Sequence, residues 1–240
     1  MKANQIYRKT FTGKIEWRWC EDIGMFAYDR PIDDVTDEYG RVLAEGSCVH
    51  ATEHCKATCY NNKLYKVYPA MSQKDIRNEA QWQALGVNTV KPQLDKKRKF
   101  TDRVRSCTRG EPIKNTTDVS KLYRMALANP DRIFWIPTRA WRDSWLRAHI
   151  RGHLLHLPNV SVCASMDPSN TKAEWQMVTD AGWSTMFFGD DDMTETPTGE
   201  RMFMCPKTHK DLKGHCAICK AGCMSASVLG KQSHSHLKEH

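Results

Sequence analysis

The chain has 240 residues, and 36 Lys and Arg against 28 Asp and Glu give a formal net charge of +8. Hydrophobic residues at 40% and charged residues at 27% exclude a disordered or collagen-like chain. The longest apolar runs, such as residues 133–137 and 185–188, are too short to span a bilayer, and Met1-Lys2-Ala3-Asn4-Gln5 lacks the apolar core of a signal peptide, so a cytoplasmic protein with no membrane partner is expected.

Residues 14–19 alternate apolar and polar, as a half-buried strand does, and 41–44 reads as a short second strand. Ser72-x-x-Asp75 is a capping-box-like start and Gly86 a stop, which predicts a helix over 73–85. Residues 87–116 read as an irregular, strongly basic insert. Thr117 or Asp118 is expected to cap a helix that Asn129-Pro130 ends. Strands are then predicted at 133–136, 160–164 and 184–188, with helices at 141–155 and 171–180 between them. Residues 201–204 form a last strand that delivers Cys205 at its C-terminal end, and 231–240 reads as a frayed polar tail.

Short apolar strands alternating with amphipathic helices predict an α/β fold of parallel β–α–β units, as a partial (β/α) barrel or an open sheet. One domain spans 1–225, with a polar tail over 226–240. In either arrangement the loops after strand C-terminal ends carry ligand contacts, which singles out Thr138, Arg139, Ser165 and Asp167 as cofactor-binding candidates.

The ten cysteines are the unusual number. Without a secretion signal, five disulfides lack the oxidising compartment they need. Cys20, Cys107 and Cys163 stand alone, and the other seven fall into two groups. Cys205-x10-Cys216-x2-Cys219-x3-Cys223 is a full set of four thiolates, suited to a [4Fe–4S] cluster or to a tetrahedral zinc. Its x2-then-x3 rhythm is closer to a ferredoxin-type run than to paired zinc knuckles. Cys48, Cys55 and Cys59 supply three thiols with His50 and His54 nearby. They fit a second cluster with one open iron, a Cys3His zinc site, or simply buried thiols. The spacing common to radical S-adenosylmethionine enzymes requires a cysteine at 62, where Asn62 stands.

Several short motifs occur in a fixed order. They are Cys55-x3-Cys59-Tyr60, then Phe134-Trp135-Ile136-Pro137-Thr138-Arg139-Ala140-Trp141, then Leu157-Pro158-Asn159-Val160 leading to Ser165-Met166-Asp167, then Cys205-Pro206 and the closing cysteines. In this the chain resembles the phage family called gene product eighty-eight, over about residues 46–225. The resemblance implies a phage-encoded iron–sulfur protein of the host cytoplasm and implies no particular activity. The chain departs from the family pattern at Val49, where Pro would follow the first cysteine, and at Asn61.

Lys91, Lys96, Lys97, Arg98, Lys99, Arg103, Arg105 and Arg109 against Asp95 and Asp102 hold most of the net charge. Such a run meets nucleic-acid phosphates or forms a solvated loop, and Lys96, Lys97, Arg98, Lys99, Arg103 and Arg105 are the candidate contacts. Trp82 and Phe100 flank the run and suit either base stacking or core packing. His149, His153 and His156 share a helix face with no interleaved ligand and read as a polar face, while Trp141 and Trp145 read as core contacts. Asp190-Asp191-Asp192 reads as an acidic turn. No P-loop, dinucleotide fingerprint or nucleophile elbow is present. Three functions follow: a [4Fe–4S] protein using the C-terminal four cysteines, a zinc-stabilised nucleic-acid-binding protein, and a radical S-adenosylmethionine-like enzyme.

Overall fold

The computed structural model describes residues 15–84, 102–189, 192–210, 215–220, 222–224, 226–227 and 230–238. Arg18–Cys20 (β1) and Met25–Tyr28 (β2) pair antiparallel. Val35–Thr36 (β3) and Val42–Ala44 (β4) form a separate ladder. Three helices follow, Glu53–Ala57 (α1), Tyr60–Val67 (α2) and Pro69–Ala84 (α3). Then come Arg103–Ser106 (β5), Thr116–Ala128 (α4), Ile133–Thr138 (β6), Ser144–His153 (α5), Val160–Met166 (β7), Lys172–Asp180 (α6) and Ser184–Gly189 (β8). Met202–Met204 (β9), Pro206–His209 (α7), His215–Ile218 (α8) and His234–Lys238 (β10) complete the chain.

The main sheet has eight strands in the order β1-β2-β5-β6-β7-β8-β10-β9. Every neighbouring pair except β1 with β2 is parallel. The order terminates at β1 and β9, so of the two predicted arrangements the sheet takes the open one.

Side chains on a strand alternate between faces, and the two faces here have different covers. Phe134, Ile136, Val160, Val162, Ala164 and Phe187 point to one face. There they pack with Leu122 and Met125 of α4, Leu146 and Ile150 of α5, and Trp175 and Val178 of α6. All three crossover helices thus lie on the same side. On the other face Met25, Trp135, Cys163 and Met186 meet Met224, with Cys216 and Cys223 at the margin. The C-terminal cysteine segment therefore covers strands that a second helix layer covers in a doubly wound sheet.

The predicted strands at 133–136, 160–164, 184–188 and 201–204 are β6 to β9, and helix 171–180 is α6, opened by a capping box between Thr171 and Glu174. Elsewhere the structure corrects the sequence reading. α3 begins at Pro69 rather than at Ser72, and Asp75 is fully buried in an ion pair with Arg109 instead of capping. Asn115, not Thr117 or Asp118, caps α4, because Asp118 is drawn inward to Arg30 and Trp82. The expected irregular insert contains β5, an interior strand between β2 and β6. Trp145 is 66% exposed while Trp141 is buried.

The expected polar tail is the largest correction. β10 lies inside the sheet, hydrogen-bonded to β8 on one side and β9 on the other. His234 and His236 are buried because the ladder pays for them: His234 Nδ1 meets Thr185 Oγ1 at 2.9 Å and His236 Nε2 meets Gly189 O at 3.2 Å. Deleting residues 231–240 is expected to abolish cooperative thermal unfolding, since β8 and β9 lose their shared neighbour. A truncated chain that melts at the full-length temperature would contradict this placement.

Candidate cysteine-lined cofactor site

A cavity of about 450 Å³ opens on the face of the sheet opposite the crossover helices, and all seven clustered cysteines line it. Trp135, Met186 and Phe188 supply apolar wall, and Arg105, Arg139 and Ser165 supply polar groups.

The C-terminal group is fastened to the sheet through backbone contacts. Cys205 follows β9, and its N–H donates to His236 O at 2.9 Å while Pro206 turns the chain into α7. Arg103 Nη1 donates to Cys216 O at 2.7 Å and to Cys219 O at 2.6 Å. The Cys163 thiol donates to Cys223 O at 2.9 Å, and Ser227 N–H donates to Ser161 Oγ at 3.0 Å. Gly222 takes a positive φ of 71°, and a Cβ there would lie 2.9 Å from the Phe203 ring. Only glycine makes this turn beside Cys223 without strain.

The N-terminal group is held from the strand ends. Thr52 Oγ1 caps α1 by accepting from Cys55 N at 2.9 Å, and donates to Asp167 Oδ2 at 2.6 Å. Arg139 Nη1 donates to the same oxygen at 2.6 Å. Glu111 in turn accepts from Thr138 Oγ1 at 2.5 Å and Arg139 N at 2.9 Å. Glu111 N–H donates to Ser47 Oγ, and Ser47 Oγ donates to Pro31 O, which fixes the chain just before Cys48. Behind this layer Arg30 pairs with Glu79 and Asp118, and Arg109 with Asp75 and Asp29, all buried.

None of the ten cysteines is joined in a disulfide. Burial pushes the Cys48 thiol up, with Glu111, Cys55 and Cys59 adding to the effect. Burial likewise raises Cys55, against the opposing charge and hydrogen bond of Arg139. Cys216 is pushed up to about 12, first by burial and then by Cys223 and Cys205, with Arg105 opposing. Cys223 is raised by its contact with Cys163 and then by burial. The thiols thus form two local groups on one cavity, and the surroundings disfavour bare thiolate at Cys48, Cys55, Cys205, Cys216 and Cys223. Soft sulfur donors in this setting suit a cation that takes their charge. Among the described residues, no three His, Cys, Asp or Glu side chains are already gathered about a single ion position.

The sequence-predicted residues divide. Arg139 and Ser165 line the cavity, whereas Thr138 and Asp167 act behind it as the partners of Glu111 and Arg139. His54 lines the cavity, but His50 is hydrogen-bonded to Lys114 O at 3.3 Å. Arg103 and Arg105, expected to meet nucleic acid, belong to an interior strand; Arg103 binds the Cys216 and Cys219 carbonyls and Arg105 lines the cavity. Trp82 is buried in a stack with Tyr28, so it is a core residue. Lys96, Lys97, Arg98, Lys99, Phe100, Asp190 and Asp191 lie outside the described residues. Sequence reading missed Thr52, Glu111 and Trp135 as site residues. The one legible signal was the period-2 pattern Arg103-Val104-Arg105, which places both arginines on one strand face.

The fold and cavity define an open, mostly parallel α/β protein with a cysteine-lined pocket on one sheet face. The family model described as Gene product 88 matches residues 34–235, so the chain belongs to that family. No curated protein and no solved structure matches it. Among the described residues no helix is long and apolar enough to cross a membrane.

Two measurements check this geometry. Thr52→Val removes both the cap and the Asp167 contact and is expected to cost about 1–2 kcal/mol in denaturant unfolding; an unchanged midpoint contradicts it. Burial raises Glu111 from its ordinary 4.5 to about 7, even though Thr138, Arg139 and Ile113 donate to it. Between those values the folded protein keeps a proton the unfolded chain has lost, so this residue's contribution to stability falls as pH rises through that window. Glu111→Gln is expected to flatten that part of the melting-temperature profile, and a profile with the same slope would refute the assignment.

Proposed function

We propose that this protein is an iron–sulfur protein, phage-encoded and active in the host cytoplasm. Cys205, Cys216, Cys219 and Cys223 hold a [4Fe–4S] cluster, and Cys48, Cys55 and Cys59 form a second ligand group on the same cavity. The observation that carries this reading is that all seven clustered cysteines, and none of the three scattered ones, line one cavity. A cubane takes one thiolate per iron, so its ligands spread around a volume. A zinc ion instead draws four sulfurs to about 2.3 Å from one centre. A cavity of about 450 Å³ lined by seven cysteines has room for a multi-atom cluster, which supports the cubane.

When bound, such a cluster supplies one-electron transfer. The chain's own residues give it a rigid and partly dry seat. Arg103 fixes the loop carrying Cys216 and Cys219 through their carbonyls, so its role survives any state of the sulfurs. Trp135 and Met186 exclude water from the sheet side. Arg139, locked by Asp167, holds its charge beside Cys55.

Anaerobic purification is expected to give brown protein containing iron and acid-labile sulfide in similar amounts. Cys216→Ser and Cys219→Ser should lose most of both, while Cys20→Ser should retain them. Colourless protein with stoichiometric zinc and no sulfide would overturn the proposal.

A further inference from the structure

The arginines around the site have carboxylate partners, with one exception. Arg18 lies 2.7 Å from Asp29, Arg30 2.6 Å from Glu79, Arg109 2.9 Å from Asp75, and Arg139 2.6 Å from Asp167. Among the described residues no carboxylate pairs with Arg105. Its Nε donates to Cys107 O at 3.0 Å, and its guanidinium lies 4.5 Å above the centre of the Trp135 ring. A guanidinium does not lose its proton, so a half-buried, unmatched one is costly unless an anion meets it.

A second unmatched donor lies on the same wall. Trp135 is 2% exposed, and its buried Nε1–H has no hydrogen-bond partner among the described residues. Buried indole N–H groups ordinarily find an acceptor. Side by side, these groups offer donor capacity that no carboxylate among the described residues meets, a setting that suits an anion. On this strand face Arg103 holds the Cys216–Cys219 loop, and Arg105, two residues along, lines the cavity together with Cys216, Cys219 and Cys223.

We infer that Arg105, held over the cavity by Trp135, is the counter-cation of the metal–thiolate centre and sets its reduction potential. This rests on the iron–sulfur reading above. A [4Fe–4S] core with four thiolates is a net anion, and reduction adds one further electron without breaking a bond. A fixed neighbouring cation stabilises the more negative reduced state and raises the potential.

The test uses anaerobically prepared full-length protein with Arg105→Met, Arg105→Lys and Trp135→Phe. Iron and sulfide per chain are measured first, then a mediated titration with dithionite as the reductant. At the wild-type midpoint, the oxidised-to-reduced ratio of Arg105→Met is expected to rise about tenfold or more, equivalent to about 59 mV for one electron. Arg105→Lys should stay within about threefold of wild type, because it keeps the charge. Trp135→Phe should shift in the same direction as Met, and decides the matter if the Met variant does not take up iron. A Met variant with full iron and sulfide and an unchanged ratio overturns the inference, as does an unchanged Trp135→Phe where Met does not load. Wild-type protein without iron and sulfide instead defeats the iron–sulfur reading itself, so the two failures are distinct.

Discussion

At the C-terminal end of β7 the Asp167 carboxylate receives the Thr52 hydroxyl and the Arg139 guanidinium on one oxygen, and Ser169 on the other. Burial alone raises such a carboxyl, but the hydrogen bonds from Ser169 and Thr52 and the charge of Arg139 outweigh it and hold Asp167 below the usual range. The ionised carboxylate is thereby the fastening between the sheet and α1. Thr52 is the residue that caps α1, so orienting Thr52 orients Cys55. A short helix of five residues has little stability of its own and takes its position from this contact.

The rest of the site follows from strand direction. Parallel strands deliver their C-terminal ends to one edge, and there Arg139, Ser165 and Cys205 all emerge. The three crossover helices occupy one face, which leaves the other to the C-terminal segment. Polar anchors hold that segment: Arg103 to two carbonyls, Cys163 to a third, and the Ser161–Ser227 pair. Arg103 and Cys163 thus hold the segment by its main-chain carbonyls rather than by the clustered sulfurs, and Cys223 Sγ donates to Ser235 Oγ at 3.5 Å. On the N-terminal side the buried pairs of Arg30 and Arg109 hold the chain near residues 29–31 and 108–112 in one conformation. Removing one partner of such a pair costs about 3–5 kcal/mol, so the loop that presents Cys48 is rigidly based.

Much of this was legible in the sequence where local pattern and tertiary role agree. β6, β7 and β8 are mostly apolar because both faces are covered, and their helices carry ordinary caps. The two cysteine groups were separable by spacing alone. What sequence could not reveal was long-range pairing. β10 reads His-Ser-His-Leu-Lys, a polar stretch, and becomes an interior strand because each histidine finds a specific acceptor or donor. Arg103 and Arg105 read as surface charge because their partners, the Cys216 and Cys219 carbonyls and the Trp135 ring, lie 30 or more residues away in the chain. Asp75 and Asp118 read as caps for the same reason: their arginines come from distant segments.

The proposed iron–sulfur site lies between both cysteine groups on the face of the sheet opposite the crossover helices. Crystals grown and frozen without oxygen, with diffraction data collected on both sides of the iron edge and of the zinc edge, test it directly. The account predicts an anomalous peak resolving into several irons, placed in the cavity beside Trp135 and within bonding reach of Cys205, Cys216, Cys219 and Cys223. A single peak at the zinc edge, or iron bound anywhere outside that cavity, would contradict it.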